Sequence, residues 1–583
     1  MTPGAPPTTQ QAIFAENGSG GVMSDLTFNG GNFGIYGGSQ QFTAQRLKFR
    51  NCATAVQLIW DWAWAWKSID ISGCTTGFKL VSEDGVHHTG SILLLDSKFT
   101  NTGTAILTFP ATKELAKGTT GITLDNVAFD NVQNPVVDTQ GKVYLSASVG
   151  SVDTWVLGPV YSDGRVRGDS LSMTFTTDRE KSLLGSSSSG LPKLPFFERA
   201  RPQYENEGAA SFVHMKDYAR GDGSTGDTAA FQKALDDNAG SKIIFVDAGS
   251  YILTDTITIP AGARIVGEAW SQLVASGNNF GDASNPRPLV RVGKRGDVGS
   301  VEIQDLLFTS KGPTPGAVFV EWNIKASSPG AAAMWDSHVR LGGGEGTELT
   351  SKQCPPSTSG TNSGCSVGSL MMHITPASSA LLDNVWLWLA DHDIDDPSWE
   401  DDNNNMVQMS VYVARGLLVE STDATWLYGT SSEHAVMYQY NFWKARNVFA
   451  GMIQTESPYY QPTPKPPAPF ADTVVALLAV MPHGLFSSET RPTSSSPARA
   501  SILGSRHTLR TVSLVLVNDN FEHVRIHNLI TIGATNMIES DGYKTKSADN
   551  LAVDFHPYWS QISLTLTLFG SQLPELEDDS LDL

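Results

Sequence analysis

The sequence predicts an all-β protein made of two tandem parallel β-helices. A short run of strand residues followed by Asn or Gly returns after roughly 20–30 residues, and no helical periodicity separates the copies. A repeat of that length, built from strands and turns, is typical of a solenoid in which each coil stacks on the one before it. A stretch rich in Pro and Ser divides the repeats into two groups, which indicates two such units in one chain.

The first unit is predicted over residues 1–165. Its repeats carry one apolar residue at an equivalent position, namely Phe28, Phe49, Ile71, Phe99 and Phe129. Cys52 and Cys74 lie 22 residues apart at the equivalent place in consecutive repeats. We expect them to form a stack of small buried thiols rather than a reactive pair.

The rest of the chain is predicted to hold a linker and a second solenoid. Residues 166–206 contain a four-serine run and several prolines and are expected to lie along the surface. Residues 207–545 are assigned to the second β-helix, which begins with a short helix capped by Asp227. Within it, 473–510 reads as an atypical insert, and 546–583 forms a C-terminal segment with an acidic tail.

Composition and charge narrow the possible functions. Hydrophobic residues make up 40% and charged residues 17% of the 583 residues, which excludes general disorder, collagen and coiled coil. The net charge of −20 argues against nucleic acid or an anionic membrane as the partner. The longest apolar run, Val474–Met481, is too short to span a bilayer. The N-terminus lacks the basic and apolar blocks of a signal peptide, so it gives no indication of secretion.

Metal or serine chemistry is not favoured. Cys354 and Cys365 bracket a short polar loop and can form a disulfide in an oxidising compartment, whereas a zinc site needs further Cys or His at closer spacing. No HExxH or GxSxG motif surrounds His338, His392 or His434. We therefore expect no metal and no cofactor.

Two glutamates are candidates for glycosidic chemistry. Glu433 and Glu456 are 23 residues apart, and Gly429 and Gly451 near them are 22 apart, so consecutive coils should place the two carboxyl groups one above the other. Like charges at that distance cannot both ionise freely, so one pKa should rise as a general acid requires. Two unrelated surface glutamates on turns would show the same spacing, and this alternative stays open.

Two tryptophan-rich strands are candidate sugar platforms. Alternate residues of a strand share a face, and the alternating tryptophans are Trp60, Trp62, Trp64 and Trp66 in the first unit and Trp386 and Trp388 in the second. Packing between the two helices explains them equally well. Both interpretations hold if a substrate lies in the crevice between the units.

Taken together, the ordered motifs resemble fungal glycoside hydrolase family 55. They are ENGSGGVMSDLTFNGGNFG, GGSQQFT, WDWAW, GDTAAFQKAL, NVWLWLADHDIDD, EHAVMYQY and IQTESPYYQP. The resemblance runs from Ile13 to Pro467, with a weaker return at 521–545. It implies two side-by-side right-handed parallel β-helices, the first of them truncated at its N-terminus in this chain.

The resemblance also implies an activity and a set of site residues. The family hydrolyses laminarin-type β-1,3-glucan from the non-reducing end with inversion, releases glucose and needs no cofactor. By motif, Glu456 corresponds to the general acid and Glu433 to the residue that helps to hold the nucleophilic water. Gln40 and Gln41 resemble polar residues that face the same crevice. The other residues expected to bind substrate are Trp60, Asp61, Trp62, Trp386, Trp388, Asp391, His434 and Tyr459. The family is secreted, so an extracellular monomer is expected.

Two other functions stay open at this level. A truncated, catalytically inactive glucan-binding β-helix fits the shortened first unit. A polysaccharide lyase is less favoured, because lyases of this architecture act on acidic polymers and the −20 chain shows no dense basic groove or calcium-binding acidic cluster.

Overall fold

A computed structural model confirms the predicted all-β fold of two parallel β-helices. The structure describes residues 9–82, 89–111, 120–162, 165–167, 172–177, 179–187, 190–357, 360–395, 407–461, 464–470, 513–518, 522–540, 543–550 and 559–567. The predicted insert at 473–510 and the acidic tail lie outside the described residues.

The first helix is built from two sheets. Its seven-stranded sheet runs in the order Gln11–Ser19, Phe33–Gln40, Thr54–Trp62, Thr76–Lys79, Thr104–Thr108, Asn134–Asp138 and Val143–Leu145. Its ten-stranded sheet holds Val22–Ser24, Thr27–Asn29, Thr43–Gln45, Lys48–Arg50, Trp64–Lys67, Asp70–Ser72, Ser91–Thr100, Gly121–Asp130, Ser151–Leu157 and Ser172–Phe175. Most neighbours in both sheets are parallel, with antiparallel pairs at the C-terminal end of each.

The predicted repeat corresponds to a column of stacked side chains in the core of the first helix. Phe28 pairs with Phe49, then Ile71, Phe99 and Phe129 follow in the same column, and all five side chains are buried. Burying an aromatic or branched side chain stabilises the fold by roughly 1.5–3 kcal/mol, so the column is a main part of this core. Cys52 and Cys74 are buried free thiols, as expected.

The second helix is larger. Its sixteen-stranded sheet holds Val160–Ser162, Arg165–Arg167, Phe212–His214, Asp222–Gly226, Ile243–Phe245, Gly249–Leu253, Arg264–Ala275, Val301–Ser310, Ala332–Trp335, His338–Leu341, Leu381–Asp383, Trp386–Leu389, Thr425–Glu433, Arg446–Glu456, Glu522–Ile532 and Trp559–Thr567. Its nine-stranded sheet holds Ile257–Ile259, Arg287–Val292, Ala317–Trp322, Leu370–Ile374, Leu417–Val419, Tyr440–Trp443, Ser513–Asn518, Asn536–Ser540 and Tyr543–Lys546. Two-stranded sheets join Val298–Gly299 to Lys325–Ala326 and Ser366–Gly368 to Tyr412–Val413.

An α-helix, Thr228–Asn238, opens the second β-helix as predicted. Asp227 occupies its N-cap position, but the carboxylate does not cap the helix; it accepts the backbone N–H groups of Arg220 and Gly221. The helix buries Phe231 against the first coil. No helix among the described residues is long and apolar enough to cross a membrane.

The segment predicted as a linker, 166–206, is partly built into the first helix. Its strand Ser172–Phe175 adds to the edge of the ten-stranded sheet. The preceding strand Val160–Ser162 pairs instead with Trp559–Thr567 of the second helix. The chain therefore crosses between the two units through paired strands before it enters the extended part of the linker.

The expectation that four tryptophans share one face is wrong. The strand that carries Trp60 ends at Trp62, Ala63 adopts a left-handed conformation with φ 64°, and a new strand begins at Trp64. The chain therefore turns a corner of the coil between the second and third tryptophans. Trp64 and Trp66 point into the core of the first helix, whereas Trp62 is buried between the two helices.

An apolar cluster holds the two helices side by side. Its members from the first helix include Trp62 and Leu95, and those from the second include Trp426 and Phe449. The linker residue Phe196 lies between them and stacks on Phe449 with 3.9 Å between the ring centroids. This cluster runs directly below the site described next.

Candidate active site

Two glutamates end neighbouring strands of the second helix. Glu433 and Glu456 are paired in the parallel register, so their side chains lie one rung apart, and strands in a sheet are about 4.8 Å apart. The two glycines that suggested this alignment are not themselves partners, because Gly451 pairs with Tyr428. The register nevertheless places the carboxyl groups together.

One amide connects the two carboxyl groups. Gln454 Nε2 lies 3.2 Å from Glu433 Oε1 and 3.2 Å from Glu456 Oε1. Both carboxyl groups are therefore within hydrogen-bond reach of one nitrogen, so their Oε1 atoms lie no farther apart than the lower end of the roughly 6.5–9.5 Å separation typical of inverting glycosidases. Sequence analysis missed Gln454, although its position two residues before Glu456 in the same strand puts both side chains on one face.

Glu433 lies in the deeper part of the site. Its side chain is 2% exposed and accepts hydrogen bonds from Gln41 Nε2, contributed by the first helix, and from Trp386 Nε1 at 2.9 Å. Burial, followed by the negative charge of Glu456, raises the pKa of Glu433 well above its ordinary range. Glu433 therefore keeps its proton to higher pH than an ordinary glutamate.

Glu456 faces the mouth of the site. Its Oε2 accepts a hydrogen bond from the Tyr459 hydroxyl at 2.9 Å and lies 3.4 Å from His434 Nε2. Tyr459 is 50% exposed. The charge of Glu456 is the largest cause that raises the pKa of Tyr459, so the phenol remains a hydrogen-bond donor at any physiological pH.

His434 is a buried cation beside the two glutamates. Its backbone is left-handed, with φ 64°, and its Nδ1 lies 2.8 Å from the Leu389 carbonyl oxygen and 3.9 Å from Asp391 Oδ1. Burial alone would lower the pKa of His434, but Asp391 and the glutamates outweigh it and raise the pKa to about 10. Burial likewise opposes the charge of Asp391, yet His434 and His392 hold the pKa of Asp391 below its usual value. The site therefore keeps a fixed positive charge.

The first helix completes the site through one turn. Gln41 is 2% exposed and left-handed, with φ 59°, and this conformation directs its amide across the crevice to Glu433. Gln40 donates a hydrogen bond to Ser19 Oγ at 3.0 Å and does not contact either glutamate. Trp60 is half-buried against the cluster between the helices. The two units thus share one site.

Three residues expected in the crevice are buried. Trp62 is 1% exposed inside the cluster between the helices, so neither ring face is free for a sugar. Asp61 is fully buried and accepts the backbone N–H of Trp64 at 3.3 Å, and burial raises its pKa. Trp388 pairs in register with Glu433 and so lies beside the site, but its ring is covered by contacts that include Trp386, whose half-buried ring borders Glu433.

The remaining candidates concern cysteines and metals. Cys354 and Cys365 form a disulfide bond. In the part of the chain that the structure describes, no group of three or more His, Cys, Asp or Glu side chains is arranged to hold a metal ion.

Comparison with known proteins adds a family context. The model of the family "Rhamnogalacturonase A/epimerase, pectate lyase-like" matches residues 1–79 and 212–285, one segment in each helix. A "Non-secreted LysM effector LysM15" of Penicillium expansum is 44% identical over 79% of this chain and 33% of its own length. A "Probable glucan endo-1,3-beta-glucosidase" of Arthroderma benhamiae is 34% identical over 79% of this chain and 62% of its own.

A third relative carries a similar name. The "Glucan 1,3-beta-glucosidase" of Cochliobolus carbonum is 34% identical over 79% of this chain and 57% of its own length. This chain therefore spans 33%, 62% and 57% of the lengths of these three relatives. The chain is therefore a homologue of fungal proteins named as glucan 1,3-β-glucosidases, in agreement with its resemblance to glycoside hydrolase family 55.

Proposed function

We propose that the chain is an exo-acting β-1,3-glucan hydrolase that releases glucose from laminarin-type glucan with inversion. The observation that carries the proposal is the pair of buried, register-matched carboxyl groups of Glu433 and Glu456, which share the Gln454 amide. The pKa of one member of this pair, Glu433, is raised by burial and by the charge of its partner, and a carboxyl pair of this kind can supply the acid that a glycosidic oxygen needs. The names of the relatives support a β-1,3-glucan as the substrate.

The roles of the two glutamates follow from their positions. Glu456 lies beside the half-exposed Tyr459 and acts as the general acid that protonates the departing oxygen. Glu433 lies deeper, beneath Trp386 and Gln41, and helps to hold the nucleophilic water. The short separation of the two carboxyl groups supports a positioning role for Glu433, because a general base that faces the acid across a sugar ring needs a wider gap.

The setting suits a neutral polymer outside the cell. A sugar ring carries no charge for the −20 chain to repel, and the half-buried Trp386 offers an aromatic edge beside the carboxyl pair. The disulfide between Cys354 and Cys365 supports an oxidising, extracellular location. We expect a monomer that needs no cofactor.

The experiment measures glucose release from laminarin by the wild type, E456Q, E433Q and the control E205Q, which changes an exposed glutamate. Losing a general acid costs about 10²–10⁴ in rate, and α-glucose should appear first with an inverting enzyme. An aryl glucoside with a good leaving group should restore much of the activity of E456Q and little of that of E433Q. Equal recovery by both variants would refute the assigned roles.

A glucan-binding protein without catalysis is the second candidate. The effector name of the Penicillium expansum relative favours it. In that case the wild type would bind laminarin, would release no glucose, and E456Q would bind equally well.

A further inference from the structure

One acceptor sequence for N-linked glycan exists in all 583 residues. Asn17-Gly18-Ser19 is the single Asn-X-Ser/Thr triplet in the chain, where X is not Pro. The candidate site does not use Asn17. A glycan is added to such a triplet only if the chain enters the secretory pathway, and the folded protein accommodates it only if the Asn lies at the surface.

The triplet forms a projecting bulge. Glu16 pairs with Gly38 and Ser19 pairs with Gln40, so the strand Gln11–Ser19 holds one more residue here than its partner. Asn17 and Gly18 are both left-handed, with φ 65° and 87°, and Asn17 is exposed. A Cβ added at Gly18 would meet no atom within 4 Å. The bulge therefore points its tip into open space, and bulges of this kind redirect a side chain.

The base of the bulge is fixed beside the candidate site. Ser19 Oγ accepts a hydrogen bond from Gln40 Nε2 at 3.0 Å, and the Gly20 carbonyl accepts one from Asn384 Nδ2 at 2.7 Å. A Cβ at Gly20 would lie 3.1 Å from the Trp386 ring. The tip consequently stands at the rim of the crevice that leads to Glu433.

Exposed apolar side chains lie near Asn17 along the chain. Phe14 is 61% exposed, and Val22 and Leu26 are each 38% exposed, all within nine residues of Asn17 along the chain. Exposed apolar residues that cluster on one coil are an association hazard. A hydrophilic oligosaccharide at the tip of the bulge would shield them.

We propose that Asn17 carries an N-linked oligosaccharide that stands at the rim of the substrate crevice. The Asn17 amide nitrogen attacks the anomeric carbon of a pyrophosphate-linked lipid oligosaccharide, the lipid pyrophosphate leaves, and the amide loses one proton. This inference rests on the proposed secretory location and is independent of the proposed catalysis.

The test is to express the full chain behind a cleavable secretion signal in yeast and to measure the mass of the peptide that contains Asn17, with and without endoglycosidase. We expect one glycan on the wild type, none on N17Q or S19A, and one on S19T, which preserves the acceptor sequence. Protein retained in the lumen of the endoplasmic reticulum is measured in the same way, because transfer precedes folding.

An unmodified Asn17 in luminal or secreted wild type would overturn the proposal. A mass shift that persists in N17Q would do the same, because the sugar would then be attached elsewhere. Glucose release from laminarin is measured separately, so a failure of the glycan proposal and a failure of the proposed hydrolase remain distinguishable.

Discussion

Replacing Gly429 with Ala should separate the two helices beside the candidate site. A Cβ at this position would lie 1.9 Å from Thr43 Oγ1 of the first helix, and Gly429 has φ 56°, which L-residues adopt at a cost. The backbone penalty is about 1–2 kcal/mol and overpacking adds about 1–3 kcal/mol. We expect G429A to lose about 2–5 kcal/mol of stability.

The same substitution should lower activity. Thr43 lies two residues from Gln41, whose amide contacts Glu433, and a displacement of about 1 Å in a site can cost about 100-fold in rate. Urea unfolding and glucose release from laminarin measure the two effects. The variant T43A removes Oγ1 and leaves the Thr43 Cβ at 3.2 Å, so G429A should cost less stability in the T43A background than in the wild type. The argument from the close approach of Gly429 to Thr43 would be refuted if G429A were as stable as the wild type. It would also be refuted if G429A lost the same free energy of unfolding in both backgrounds.

Three further predictions concern His434, Phe196 and the disulfide. The folded-state pKa of His434 is raised to about 10. Its charge therefore stabilises the fold fully below its unfolded pKa of about 6.5, and this contribution is lost as the pH rises through 10. Between these pH values, the free energy of unfolding should depend more steeply on pH in the wild type than in H434Q. F196A should cost about 3–5 kcal/mol in urea unfolding, because Phe196 stacks on Phe449 between the helices. Reducing the bond between Cys354 and Cys365, which are 11 residues apart, should cost about 2–3 kcal/mol, measured as a lower thermal midpoint with reductant.

Each of these has an outcome that would contradict it. The pH dependence of H434Q would match that of the wild type if the histidine were neutral when buried. F196L, which keeps an apolar side chain, should recover much of the loss in F196A. A variant with both cysteines changed to serine should show no effect of reductant.

The fold could be predicted because the solenoid repeats itself. A column such as Phe28, Phe49 and Ile71 leaves a periodic trace that a single sequence displays. The corner at Ala63 could not be predicted from the sequence, because Ala rarely adopts the left-handed conformation that it has there. The four tryptophans therefore looked like one continuous strand.

One part of the candidate site could likewise be predicted from the sequence, and another part could not. The pairing of Glu433 with Glu456 depends on a register that spacing along the chain reveals. The contact of Gln41 with Glu433 joins residues almost 400 positions apart and depends on how the two helices dock. Only the resemblance to a known family could indicate Gln41, whereas the alternation of tryptophans along the strand indicated Trp62, which the structure buries.

The register between the two glutamate strands has a consequence for how this site tolerates sequence change. Eight residue pairs align the two strands from Thr425 to Glu433, so the distance between the carboxyl groups is one step of the sheet rather than a property of any loop. Insertions at the exposed turn around Lys444, between the strands Tyr440–Trp443 and Arg446–Glu456, can lengthen the coil and leave that distance unchanged. A single inserted residue within either strand would instead turn one glutamate into the core. The turns next to the site can therefore vary in length while the distance between the two carboxyl groups stays constant.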